Sequence, residues 1–249
     1  LAEGTSVVIP TKMENNFNRG VVRGRAGSAD LDVGLRAYML KVYNYMAVGL
    51  GLTGVVAMLV AGSPTMINAI FGTPLQWVVM LAPIGFVLFF SFRINHISSA
   101  TAQSLFWIFA AIMGISLSSV FLVYTGASVA RVFFITSGTF AAMSLYGYTT
   151  KRDLTGMGSF LFMGLIGLIL ASIVNIFLKS NMMQLVISAV GVLIFVGLTA
   201  YDTQAIKSMY WESDHDEVAS KKAIMGALKL YLDFINLFLY LLRFLGDRR

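Results

Sequence analysis

The sequence predicts an all-α integral membrane protein, a bundle of seven transmembrane helices. Hydrophobic residues make up 57% of the chain and charged residues only 12%, whereas soluble domains carry about 25% charged residues. The apolar residues form long uninterrupted runs that reach the length of about 20 residues needed for a spanning helix. These runs lack the apolar–polar alternation of lipid-facing β-strands, so a barrel is not expected.

The residue types present exclude several kinds of site. The chain has no cysteine and two histidines, which excludes disulfides, thiolate metal sites and multi-histidine metal centres, and we expect no cofactor. The net charge is +6, but the basic residues lie between apolar runs. This distribution indicates orientation in a lipid bilayer and no nucleic-acid partner.

The first part of the chain is polar. Over residues 1–34 we expect a flexible cytoplasmic N-terminal tail and no signal peptide. Residues 35–249 are expected to form the transmembrane domain. No charged residue occurs between Val42 and Phe92, so this stretch predicts two helices with a turn where Gly and Pro recur. The seven predicted helices cover residues 36–61, 75–92, 101–124, 130–149, 156–178, 183–206 and 226–245.

Lysine and arginine residues are concentrated on one side of the predicted bundle. With the N-terminus inside, that side carries the tail arginines together with Arg93, Lys151, Arg152, Lys207 and Lys229. Because cytoplasmic loops are enriched in these residues, we expect a multi-pass protein of the cell inner (plasma) membrane with a cytoplasmic N-terminus. This pattern is opposed by Arg243, Arg248 and Arg249, which the seven-helix topology puts outside. A re-entrant last segment would bring them inside and is the alternative topology.

Two aspartates interrupt apolar runs, Asp202 in helix six and Asp233 in helix seven. An ionised carboxylate in hydrocarbon costs several kcal/mol, so an acid at such a position usually has a function. Asp202 precedes Lys207 by five residues, and Asp233 follows Lys229 by four. At a rise of about 1.5 Å per residue, both aspartates lie roughly 6–8 Å inside their helix ends. If the two helices are antiparallel neighbours, the carboxylates therefore lie at the same depth.

Carboxylates at the same depth would interact strongly. Two of them about 4 Å apart repel by roughly 4 kcal/mol at an effective dielectric of 20, so the pair is expected to share one proton. Asp202 and Asp233 would also offer oxygen ligands for transient contact with a calcium ion. The alternative is two acids that are hydrogen-bonded separately. Arg93, at the cytoplasmic end of helix two, could reach the pair, or it could be a boundary residue that extends to the interface.

Several segments resemble the Bax inhibitor family of membrane proteins. The most specific are Ala200–Gln204 and Tyr231–Phe238, and Val42–Met46 and Ser144–Lys151 also match. The resemblance covers residues 35–246. It implies seven helices with the last one central, surrounded by the other six. It also implies a pH-sensitive calcium leak controlled by an aspartate pair, Asp202 and Asp233, and by an arginine latch, for which Arg93 is the candidate.

Two other functions are considered. An intramembrane aspartyl protease also uses aspartates on consecutive helices, but such enzymes need Gly-x-Gly-Asp, and here residues 230 and 232 are both leucine. We therefore expect no enzyme. The second alternative is a non-transporting protein that binds and modulates a membrane protease or another membrane complex. The sequence leaves this alternative open.

Overall fold

The chain folds as a helical bundle in a computed structural model that describes residues 12–249, with side chains from residue 33 onward apart from Asn95. Its helices are α1 (Lys12–Ala61), α2 (Pro64–Phe71), α3 (Leu75–Arg93), α4 (Ser99–Leu117), α5 (Val120–Val123), α6 (Gly126–Thr149), α7 (Thr155–Leu178), α8 (Asn181–Ser208) and α9 (Asp216–Leu245). Within the described residues, 7 segments are long and apolar enough to span a membrane. The predicted all-α bundle of seven transmembrane helices is confirmed.

Four elements differ clearly from their predicted bounds, and one of them is the last helix, which begins at Asp216 and not at residue 226. Helix α1 begins at Lys12, inside the segment expected to be a flexible tail, and residues 1–11 of that tail lie outside the described residues. The turn between the first two spans contains α2, which begins after Ser63 because its hydroxyl accepts a hydrogen bond from the Met66 amide. The third span is interrupted after α4, where the Ser118 hydroxyl donates to the Ile115 carbonyl.

The last helix, α9, is the centre of the bundle. In its most apolar stretch 67% of the residues are buried, against 39% or less in each of the other spans. It packs principally against α8, α1, α6 and α4. Helix α3 instead packs on α4, and α7 packs on α8. The last helix is therefore central as expected, but four of the six other spans surround it and two lie mainly at the periphery.

Tyr231 fixes the rotation of α9 within this core. Its side chain is fully buried, and its ring meets those of Phe106 and Phe109 edge-on. The Tyr231 hydroxyl lies 2.6 Å from the Thr53 hydroxyl, which donates to the Ala110 carbonyl at 2.8 Å. Because the single Thr53 proton is used in that bond, Tyr231 must be the donor to Thr53. The central helix is thereby joined to α1 and α4.

The residues after α9 lie on the face opposite to the start of the first span. Helix α9 is continuous over 30 residues, so the last segment does not re-enter the membrane. The Asp247 amide donates to the Ser128 hydroxyl at 2.9 Å, and its carboxylate pairs with Arg131 at 2.8 Å. The Arg249 amide donates to the Val123 carbonyl. These bonds hold the segment against the turn between α5 and α6.

Helices α6 and α8 approach each other closely at Gly147. A methyl group at this position would lie 2.2 Å from the Ala200 carbonyl oxygen, whereas one at Gly138 in the same helix would meet nothing within 4 Å. We expect Gly147→Ala to lower the free energy of unfolding by about 3 kcal/mol, because the helices must separate. Gly138→Ala should be neutral or slightly stabilising. Thermal unfolding in detergent micelles tests this, and equal midpoints for the two variants would contradict the close approach.

Candidate functional site

The structure brings Asp202 of α8 and Asp233 of α9 together. Only 4% and 5% of these residues are exposed, and their carboxyl groups lie within hydrogen-bonding reach of each other. The two helices run antiparallel, and Phe195 stacks on Tyr240 at 5.7 Å between ring centroids on the side of the pair away from the α8–α9 loop. Two carboxylates in contact in a buried site repel strongly, and the shared proton expected from the sequence would relieve this repulsion.

A lysine is the cation next to this pair. The Lys229 ammonium lies 2.7 Å from Asp202 Oδ1, and 44% of the Lys229 side chain is exposed. The same ammonium lies 5.3 Å from the centre of the Tyr201 ring. In the sequence, Lys229 lies near the start of predicted helix seven, which covers residues 226–245. Its position one helical turn before Asp233 is the signal that could have identified it as a partner of the acids.

The acids keep unused hydrogen-bonding capacity. Among the described residues, Asp202 Oδ1 and Asp233 Oδ2 are buried and accept no well-aligned hydrogen bond. Lys229 is nevertheless at ion-pair distance from Asp202 Oδ1. Because charge attraction depends only weakly on angle, this contact is mainly electrostatic. A buried carboxylate oxygen without a donor can accept a proton or contact a cation.

A cavity of about 820 Å³ lies beside the pair. Asp202, Asp233 and Lys229 supply its charged groups, and the apolar walls come largely from α7 and α8. The cavity exists because α7 packs mainly on α8 and leaves space between itself and α9. The acids therefore face a space that could admit water or an ion.

Polar contacts hold α8, which carries Asp202, against the turn before α7. The Gln204 side chain donates to the Arg152 carbonyl and accepts from the Leu154 amide, both at 2.8 Å. The Lys207 ammonium donates to the Tyr148 carbonyl at 2.8 Å. These contacts lie within two helical turns of Asp202 and fix the height of α8 in the bundle.

A chain of hydroxyl groups also holds α8 to α1 and α6. The Tyr43 hydroxyl lies 2.6 Å from that of Ser144, which lies 2.9 Å from the Thr203 hydroxyl. Thr203 donates in turn to the Thr199 carbonyl one turn back in α8. Thr203 directly follows Asp202 in the sequence. This chain of hydroxyl groups therefore sets the rotation of α8 at the site.

Comparison with known proteins gives the family. The model of the family described as "Inhibitor of apoptosis-promoting Bax1" matches residues 35–249. The chain belongs to the Bax inhibitor family. Its relatives in this family include an uncharacterized protein of Rickettsia prowazekii, which is 56% identical over 88% of this chain and 92% of that protein. The inner membrane protein YbhL of Escherichia coli is 48% identical over 87% of this chain and 94% of its own length.

Arg93, the latch candidate suggested by the Bax inhibitor family resemblance, lies elsewhere in this structure. It is exposed at the end of α3, which packs on α4 and α2 and not principally on α8 or α9. Among the described residues, no ion pair joins Arg93 to Asp202 or Asp233. The latch role of Arg93 stays a prediction.

The described residues contain no group of three or more histidine, cysteine, aspartate or glutamate side chains that could hold a metal ion. A tightly bound calcium ion takes 6–8 oxygen ligands. Asp202 and Asp233 could supply four at most. Alone, the pair therefore offers fewer oxygen ligands than a tightly bound calcium ion takes.

Proposed function

We propose that the protein is a pH-sensitive calcium leak channel gated by Asp202 and Asp233. The observation that carries the proposal is the contact between two buried carboxyl groups that face a cavity of about 820 Å³. Acids in an apolar bundle are costly, and these two are not neutralised one for one, since Lys229 is the cation at the site. A pair that needs a proton to balance its charge senses pH.

The proposed gate works through charge. When the pair is ionised, it attracts Lys229, and this attraction holds α8 and α9 in the closed arrangement. Protonation at acidic pH removes negative charge, weakens the attraction and loosens the closed state, so flux should change steeply around neutral pH. Calcium would contact the carboxylate oxygens in transit, since hard cations prefer oxygen ligands. The latch role of Arg93 would require α3 to move toward the pair.

We further propose that the protein lies in the inner membrane with its N-terminal side in the cytoplasm. The relative YbhL is named as an inner membrane protein. The excess of Lys and Arg on the face that carries the start of the first span supports the orientation. In this orientation the Asp202–Asp233 pair lies near the cytoplasmic side.

The direct test is calcium flux into liposomes that contain only the purified full chain and a calcium-sensitive dye. We expect flux above that of empty liposomes, with a steep change between about pH 5 and pH 8, because a coupled carboxylate pair can titrate far from the usual range of aspartate. The variant with both Asp202→Asn and Asp233→Asn is the matched control and should lose the pH dependence. No flux at any pH would contradict the channel and favour a non-transporting protein that modulates a membrane protease or another membrane complex.

A further inference from the structure

A second cavity, of about 600 Å³, lies between α1 and α6, apart from the aspartate pair. We call it the α1–α6 groove; its lining includes Arg36, Met39, Tyr43, Ala47, Ala141 and Ser144. Leu40 and Leu145 flank it and are 51% and 63% exposed, so the groove faces the surroundings of the bundle. At about 1.5 Å per residue, the stretch from Arg36 to Ala47 is about 16 Å long, half of the ~30 Å hydrocarbon core.

The walls of the groove are largely apolar, and the two hydroxyl groups among them already have hydrogen-bond partners. Tyr43 and Ser144 bond to each other at 2.6 Å, and Ser144 bonds onward to Thr203 of α8. Their hydroxyls are therefore satisfied within the protein and need no partner from a ligand. The surface that the groove offers to a ligand is therefore apolar, and its length matches about one leaflet of the bilayer.

One end of the groove is cationic. Arg36 lies there, three residues after the start of the first span, on the face predicted to be cytoplasmic. The Lys207 ammonium lies 4.9 Å from the centre of the Tyr148 ring, which lines the same end. No acidic residue is among the described residues that line the groove. The cavity beside Asp202 and Asp233 differs in this respect, because two carboxyl groups and one ammonium group line it.

We propose that the α1–α6 groove binds one anionic phospholipid of the leaflet on the predicted cytoplasmic side. Its phosphate would pair with the Arg36 guanidinium, which matches phosphate geometry with two parallel hydrogen bonds. One acyl chain would lie along the apolar walls between α1 and α6. Basic positions between transmembrane helices are suited to such headgroups, and the ammonium of a zwitterionic lipid would be repelled by Arg36 and Lys207. This site does not depend on the proposed calcium leak.

Native mass spectrometry of the full chain in detergent micelles tests the proposal, with dioleoyl phosphatidylglycerol and dioleoyl phosphatidylcholine as probes. We expect one tight phosphatidylglycerol adduct, and about tenfold weaker binding of phosphatidylcholine. Arg36→Gln should weaken phosphatidylglycerol binding about tenfold, as expected for loss of one charge-assisted pair. Arg36→Lys should keep part of the affinity, because charge remains without the planar fork. Equal phosphatidylglycerol binding by Arg36→Gln and the parent would overturn the proposal.

Two further variants separate the site from general attraction to charge. Lys151→Gln removes an exposed cation on the same face outside the groove and should leave binding unchanged. A loss equal to that in Arg36→Gln would mean surface attraction only and overturn the site. Ala141→Trp fills the groove from an exposed position and should abolish the adduct without altering thermal unfolding. Glycerophosphoglycerol, which lacks acyl chains, should not compete, and full competition by it would overturn the role of the acyl chain.

Discussion

Replacing either aspartate with asparagine moves the pH midpoint of calcium flux to more acidic values, or abolishes the pH dependence, if the two acids share one proton. Each single variant, Asp202→Asn or Asp233→Asn, removes the like-charged neighbour on which proton sharing depends. Repulsion of roughly 4 kcal/mol at 4 Å and an effective dielectric of 20 corresponds to about three pH units, so a displacement of at least about one unit is expected after screening. Flux measured against pH in liposomes gives the midpoints.

The alternative of two independent, hydrogen-bonded acids predicts a different result. Each asparagine variant would then express poorly or unfold at lower temperature, and its flux would keep the midpoint of the parent. Thermal unfolding of the same preparations separates loss of fold from loss of coupling. Identical midpoints in the parent, Asp202→Asn and Asp233→Asn would discard the shared proton.

Lys229→Gln is expected to raise the calcium leak at neutral pH. The substitution removes the cation 2.7 Å from Asp202 Oδ1 and keeps a side chain of similar length. Since 44% of the Lys229 side chain is exposed, solvent screening limits the loss of attraction. We expect the closed state to lose about 1 kcal/mol of stabilisation from this partly screened contact, which corresponds to about a fivefold increase in flux. Liposome flux at constant protein content measures it.

Three companion variants identify which cation closes the channel. Lys229→Arg keeps the charge and should leak little more than the parent. Arg93→Ala should raise the leak at neutral pH if Arg93 reaches the acids as a latch, and Arg93→Lys should rescue it only in part. A raised leak in Lys229→Gln together with an unchanged leak in Arg93→Ala would assign the role to Lys229. An unchanged leak in Lys229→Gln would show that Lys229 does not hold the channel closed.

Local pattern was enough to predict the spans and the meeting of the two acids. Uninterrupted apolar runs predict membrane helices because every backbone polar group in hydrocarbon must be bonded within its helix. The depth of Asp202 and Asp233 follows from their distance to the nearest lysines along each helix, and antiparallel neighbours then bring them together. The break after α4 was not predicted, because it depends on back-bonding by Ser118 that an apolar run of this length conceals.

Relations between helices distant in the chain could not be predicted in the same way. Arg93 is at a suitable depth to meet the acids, but α3 packs at the periphery, and depth gives no information on the position of a helix around the bundle. Lys229 is long enough to reach Asp202 from its own helix end, and only the packing of α8 on α9 decides that it does. The close approach at Gly147 likewise depends on two helices that are separate in sequence.

The position of α9 has a consequence for how the protein is made. Among the described residues, the helix that fills the centre of the bundle comes last in chain order, so the ribosome produces the surrounding spans before the one that completes their packing. Until α9 is inserted, Asp202 has neither Asp233 nor Lys229 beside it, and Thr53 lacks the Tyr231 hydroxyl. A chain that stops before residue 216 leaves this acid facing lipid or a partly open bundle, which is a costly place for an ionised carboxylate.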